Sequence, residues 1–284
     1  MRRLFPLVVV GLALLAAGCI PPVTPPPGPA PLRYRDEIFS TVNTTTDVVY
    51  GSAPDPQGQP VSLKLDVYQP AGDTATSRPA IVWVHGGSFT GGSKTSPEIV
   101  AEATAFAKKG YFNVSIDYRL TGLSGQGILD AQHDAQAAVR FLRANASTYH
   151  IDPNRIAIGG TSAGAITAEN VAYNPEDPGT SGNPGFMSTV SAAVSLSGAK
   201  LMGGPIIAGE PPSLLFHGTN DPLVPYQWAV NTVNEAKAAG VDAFLITYQG
   251  EGHVPIGPPG RFQSIIDMTR NFLYIELDLA HAQQ

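Results

Sequence analysis

Arg155-Ile156-Ala157-Ile158-Gly159-Gly160-Thr161-Ser162-Ala163-Gly164 is a short apolar run, then a serine between glycines, ahead of a helix-like segment. Strand, tight turn and helix form the context in which a hydroxyl is held out as a nucleophile. The glycines have a steric reason, since a side chain at either would block the sharp reversal of the backbone. A buried strand that runs straight into a helix is also a unit of an α/β sheet.

Working outward, the expected strands lie within 41–50 and 61–68, then at 80–84, 112–116, 155–158, 190–196, 213–216 and 243–248. Val61 to Tyr68 alternates apolar with mostly polar residues, the period of a strand with one buried face. Ala80-Ile81-Val82-Trp83-Val84 is apolar throughout, as befits a central strand covered on both sides. Helix-like segments fall at 98–109, 128–144, 163–172, 227–239 and 262–279. Ser96-Pro97 is expected to start the first of these, serine as cap and proline in the opening turn. Two hairpin-like strands followed by repeated strand–helix units predict a mostly parallel eight-stranded sheet with helices on both faces. In such sheets the reactive groups belong at the carboxyl ends of the strands.

Ser162, Asp221 and His253 fall at such ends. Serine is a poor nucleophile at neutral pH; it needs a base, and the base needs a carboxylate to fix its tautomer. His253 lies in the glycine-flanked loop after the last strand, and Asp221 in the loop after the strand before it. The order serine, acid, histidine differs from that of the two familiar serine-protease folds. His217 is read as a strand-end residue that shapes the acid loop, His133 and Asp134 as helix-face residues, and Ser191, Ser195 and Ser197 as serving a strand and its exit. Oxyanion donors are sought in the amide of Ala163, directly after the nucleophile, and in the glycine-rich loop at Gly87.

Together these motifs resemble the α/β-hydrolases of the carboxylesterase/lipase class, especially hormone-sensitive-lipase-like and feruloyl-esterase-like bacterial enzymes. His85-Gly86-Gly87-Ser88-Phe89 resembles their oxyanion loop, Asp117-Tyr118-Arg119-Leu120 the segment closing their next strand, and Gly160 to Gly164 their nucleophile turn. The resemblance covers about Val61 to Leu279. It implies an α/β-hydrolase fold, carboxylic-ester hydrolysis and no cofactor. It also adds Ser88 to Gly87 and Ala163 as an oxyanion donor, and makes His85 a loop organiser. Asp117 and Arg119 become structural residues joined to the helix near Asp130. Phe89, Trp83 and Tyr118 are candidates to line a substrate pocket, with core packing as the alternative. The segments 173–186 and 200–212 are expected to rim the entrance. Short, medium or aryl acyl groups on a small or saccharide-linked ester are the expected substrates. An exopeptidase or amidase on the same fold, or a non-catalytic envelope protein, are the alternatives.

The ends and the composition narrow the setting. Met1-Arg2-Arg3, an apolar run from Leu4 to Leu15 and Ala16-Ala17-Gly18-Cys19 have the order of an export signal, too short for a comfortable bilayer span of about 20 residues. Cys19 resembles the cysteine of a bacterial lipoprotein signal, which implies cleavage before it and lipid on its sulfur; the expected division is then a signal at 1–18, a lipid-bearing Cys19 with a linker to 33, and a catalytic domain from 34 to 284. This places the protein in a bacterial cell envelope, touching the membrane through its lipidated N-terminus; an ordinary secretory signal is the alternative. Cys19 is the only cysteine, so no internal disulfide can form. Seven of the twelve residues from Ile20 to Pro31 are proline, the composition of an extended spacer. A net charge of −6 without a basic cluster argues against nucleic acid. Scattered histidines show no metal-ligand spacing. Gly159-Gly160 has no phosphate-loop lysine behind it, which argues against a nucleotide.

Overall fold

The computed structural model describes residues 24–282. The leader expected at 1–18 and Cys19 lie outside the described residues. The strands are β1 (Val42–Pro54), β2 (Pro60–Pro70), β3 (Arg78–Val84), β4 (Phe112–Ile116), β5 (Ile151–Thr161), β6 (Ala192–Leu196), β7 (Ser213–Gly218) and β8 (Ala243–Tyr248). They form one eight-stranded sheet in the order β1-β2-β4-β3-β5-β6-β7-β8. β2 is antiparallel to both of its neighbours, and every other pair is parallel.

Six helices connect them: α1 (Pro97–Ala107), α2 (Gly125–Ala144), the single turn α3 (Ala146–Tyr149), α4 (Ala163–Tyr173), α5 (Tyr226–Ala238) and α6 (Arg261–Glu276). The pleat sends alternate side chains of β3 to opposite faces, which sorts the helices. Ile81 and Trp83 pack with α1 and α6 through Ile99, Phe106, Ile265 and Phe272. Val82 and Val84 pack with α2, α4 and α5 through Ala135, Ile166 and Ala229. Both faces of the central strands are therefore dry, as their unbroken apolar runs predict.

Several local expectations change. Ser96 precedes α1 but makes no side-chain cap; Pro97 alone marks the start. Ser124 is the side chain that caps, accepting from the Gly127 amide at 3.1 Å, so α2 begins three residues ahead of the expected Ile128. Residues ahead of the expected boundary at 34 also lie against the domain. Arg33 makes two hydrogen bonds to Asp73, at 3.0 and 2.6 Å, and Arg35 donates to the carbonyls of Pro26 and Gly28.

The segment 173–186 does not rim the entrance; it covers the outer side of α2. Irregular backbone has no ladder to satisfy its carbonyls, and α2 supplies the donors. Gln136 donates to Asn174 O, Gln132 to Asp177 O, and Arg140 to both Pro178 O and Gly182 O. Polar residues that a helix would show to water are buried by this layer. Asp134, read as a helix-face residue, is fully buried and is the main partner of Arg119: two guanidinium nitrogens reach its carboxylate at 2.8–3.1 Å, with Ser181 at 2.6 Å. Asp130 adds a second carboxylate at 3.2 Å. Asp134→Ala leaves the Arg119 charge buried with a weaker partner and is expected to cost about 3–5 kcal/mol of stability. Urea unfolding measures this; an unchanged midpoint would show that the pair contributes nothing.

Candidate active site

The nucleophile turn is built by contacts that admit no side chain. A Cβ on Gly160 would lie 2.6 Å from Val84 O, and one on Gly164 2.0 Å from the same oxygen. β5 and the start of α4 thus press against the end of β3, and Ser162 is forced into a left-handed conformation with φ 56° and ψ −118°. Gly159 is needed for packing: its Cβ would strike the Trp83 ring at 2.6 Å. Trp83 accordingly belongs to the core and donates to Asn113 at 3.0 Å.

The three expected residues meet at the carboxyl edge of the sheet. Ser162 Oγ lies 2.7 Å from His253 Nε2, and His253 Nδ1 lies 2.7 Å from Asp221 Oδ2. With the Nδ1 proton donated to the carboxylate, Nε2 is left as the acceptor that faces the hydroxyl. The other Asp221 oxygen accepts from the amides of Leu223 and Val224, both at 2.9 Å. Burial pushes the Asp221 carboxyl up, but the bond from His253 and these two amides outweigh it and hold the group below the usual carboxylate range. His217 also reaches Asp221 Oδ2, at 3.1 Å, and Val224 O, at 2.9 Å. It is fully buried, burial lowers its pKa, and it braces the acid loop as expected.

The glycine-rich loop packs directly on the nucleophile turn. A Cβ on Gly86 would lie 3.1 Å from Thr161 O and 3.2 Å from Ser162 Cβ. Gly87, Ser88 and Phe89 all have positive φ, at 119°, 55° and 59°. Among the described residues, the amides of Gly87, Ser88 and Ala163 have no acceptor within the chain, while Ser88 and Ala163 line the same cavity as Ser162. His85 is buried beneath the loop, with Nδ1 2.6 Å from Gly86 O; burial lowers its pKa, and no hydrogen bond joins its ring to Ser162.

Tyr118, expected in the pocket, is not there. It is 4% exposed, stacks on the His85 ring at 4.4 Å and donates to His85 O at 3.0 Å. Asp117 works beside it, accepting from the Lys94 amide at 2.7 Å just beyond the loop. Both residues brace the glycine-rich loop from below.

The cavity at Ser162 measures about 310 Å³. Phe89 lines it as expected, and Leu201 is the one contribution from segment 200–212. Its other walls escaped the sequence reading: Ile128, Ile166 and Val224 are more enclosed, while Leu123, Leu223 and Trp228 are 71%, 65% and 41% exposed. Leu223 and Val224 could have been suspected from following Asp221 so closely. The rest come from separate helices and loops, and their periodicity reads as core. No charged side chain lines the cavity.

The lowered pKa of Asp221 has a pH consequence. An unfolded aspartate titrates near about 3.9, so the ionised group favours the fold above that value, and the contribution disappears as pH falls through the lower folded value. Between about pH 4.5 and 2, Asp221→Asn is expected to lose stability less steeply than the parent protein. Acid titration followed by circular dichroism tests this; parallel curves would refute it.

The BD-FAE family model matches residues 65–198 and the TAP-like protein model residues 193–274. Gut esterase 1 of Caenorhabditis elegans is 31% identical over 120 residues, covering 40% of this chain and 21% of that protein. Phenmedipham hydrolase of Pseudarthrobacter oxydans is 32% identical over 132 residues, covering 45% of this chain and 26% of that protein. The chain thus spans about a fifth to a quarter of the length of these curated relatives. The butyrate-bound structure of a thermophilic esterase from Thermogutta terrifontis superposes with a TM-score of 0.68 at 26% identity, covering 76% of this chain and 90% of that one. The same esterase phosphonylated by cyclosarin gives a TM-score of 0.69 at 26% identity, over 84% and 95% of the two chains. The sheet order, the serine turn and these matches together show an α/β-hydrolase fold, and the chain is similar to carboxylesterases of that fold.

Proposed function

We propose that the protein is a serine carboxylesterase acting on short- to medium-chain or aryl carboxylic esters through an acyl-enzyme. The observation that carries this reading is the unbroken relay Ser162–His253–Asp221, with both links at 2.7 Å, opening into an uncharged apolar cavity.

In the first half-reaction His253 Nε2 takes the Ser162 proton as Oγ bonds to the ester carbonyl carbon, and the carbonyl electron pair moves onto oxygen. The amides of Gly87, Ser88 and Ala163 are the donors available to that oxyanion, one such donor contributing roughly 3 kcal/mol in the transition state. Collapse breaks the carbon–oxygen bond to the alcohol, which leaves with the proton from Nε2. Water then gives its proton to Nε2, attacks the acyl carbon and releases the acid, while the proton returns to Ser162. Asp221 stays ionised throughout, stabilising the imidazolium.

Cavity size and chemistry support the substrate class. About 310 Å³ lies at the small end of the roughly 300–1,000 Å³ usual for ligand pockets. Its lack of charge suits a neutral acyl group and gives a peptide amine or carboxylate nothing to pair with. The Thermogutta terrifontis esterase holds butyrate, in keeping with a short acyl group. A saccharide on the alcohol side would be left at the exposed edge near Leu123, Leu223 and Trp228. The envelope location belongs to the same proposal, with Cys19 carrying the lipid.

Turnover of p-nitrophenyl esters is expected to fall from butyrate to palmitate; the reverse ranking would overturn the acyl preference. Ser162→Ala and His253→Ala should each lower kcat by at least about 10⁴-fold with the fold retained. An organophosphonate should label Ser162, and a protein that neither turns over esters nor takes the label is not an esterase. Cys19→Ala should move the activity out of the membrane fraction, and membrane retention in that variant would refute the lipid anchor.

A further inference from the structure

The base of the relay sits on a loop that is bonded to the acid loop ahead of His253 and packs on the core through Val254 and Ile256 beyond it. Ahead of His253 the loop is held by bonds at Asn220 N to Glu251 O, 2.9 Å, and Gly250 N to Thr219 Oγ, 2.9 Å. Beyond His253, among the described residues, one hydrogen bond joins the loop to the sheet: the Val254 amide donates to Ser197 Oγ at 3.0 Å. Val254 has φ 50°, a left-handed conformation that a β-branched residue adopts only under strain. Strain of that kind persists only where surrounding contacts over-determine it. Ser197 is the polar contact that does so.

Ser197 is itself fixed. It is fully buried, has φ 60°, and donates its own amide to Phe216 O at 2.8 Å. The residue before it, Leu196, accepts from the Ser162 amide at 2.9 Å through its carbonyl. Two consecutive residues at the exit of β6 therefore hold both reacting partners. Leu196 anchors the backbone of the nucleophile, and Ser197 anchors the backbone next to the base.

We infer that Ser197 is a positioning residue for catalysis: its hydroxyl, by holding the Val254 amide, sets the approach of His253 to Ser162. The inference rests on the serine-esterase reading above. Ser197 itself touches neither the serine hydroxyl nor the imidazole in any recorded hydrogen bond, so it acts through the loop. A displacement of about 1 Å in such a pair can cost about a hundredfold in rate.

Two substitutions separate positioning from a stability role. Ser197→Ala removes the hydroxyl and keeps the backbone demand for positive φ; Ser197→Gly removes the hydroxyl and relieves that demand. Both are expected to lower kcat by about ten- to hundredfold on p-nitrophenyl butyrate with KM changed less than about threefold. Both should slow Ser162 phosphonylation in proportion, and weaken the low-field proton resonance of His253 Nδ1–H. Their thermal midpoints should differ, with glycine above alanine. Parent-like kcat with an intact resonance in either folded variant overturns the inference, as does a loss of activity that tracks the midpoint. A parent protein that is inert toward both esters and organophosphonate would instead be a failure of the esterase reading.

Discussion

The site depends on a steric constraint at the carboxyl end of β3, where the Val84 carbonyl leaves no room for a side chain on Gly160 or Gly164. That contact turns β5 sharply into α4 and lifts Ser162 out of the sheet. Because His85 to Ser88 follow Val84 directly, the same contact places the glycine-rich loop against the serine turn. Two parts of the chemistry from distant stretches of chain are thus brought together by one backbone approach. Asp221 and His253 then need only end the neighbouring β7 and β8 units on the same edge.

The geometry is strained, and the strain is local. Of the ten non-glycine residues with positive φ among the described residues, five are Ser88, Phe89, Ser162, Ser197 and Val254. Backbone of this kind costs roughly 1–3 kcal/mol per residue, so it has to be offset by packing nearby. The offset lies beneath the site. Tyr118 stacks on His85, Asp117 holds the Lys94 amide, and Arg119 sits between the carboxylates of Asp130 and Asp134. Three consecutive residues after β4 thus join the glycine-rich loop to α2.

What could be read from the chain and what could not divides by physical cause. The serine turn was legible because its glycines answer a steric demand that no other residue meets, and the strands because dry central strands are apolar throughout. Tyr118 was misplaced because an aromatic at a strand end faces either the cavity or the support below it, and residue type does not choose. Gln132, Gln136 and Arg140 look like a solvated helix face, yet they clamp and bury against segment 173–186, because backbone carbonyls compete with water for the same donors, while Asp134 accepts from Arg119 and the Ser181 hydroxyl. The cavity walls come from several separate elements, so no local pattern marks them. Ser197 differs in no chemical respect from Ser191 or Ser195, and its position opposite the Val254 amide is purely tertiary.

The uncharged lining of the cavity bears on how a substrate arrives. Electrostatic focusing requires a cleft wall of one sign, and this one offers none. A neutral, apolar molecule would reach such a cleft by unsteered diffusion and leave water through the burial of its apolar carbons. Mobile ions have little in that encounter to screen. Recognition of this kind is set by shape and hydration, and it should hold across a wide range of ionic strength.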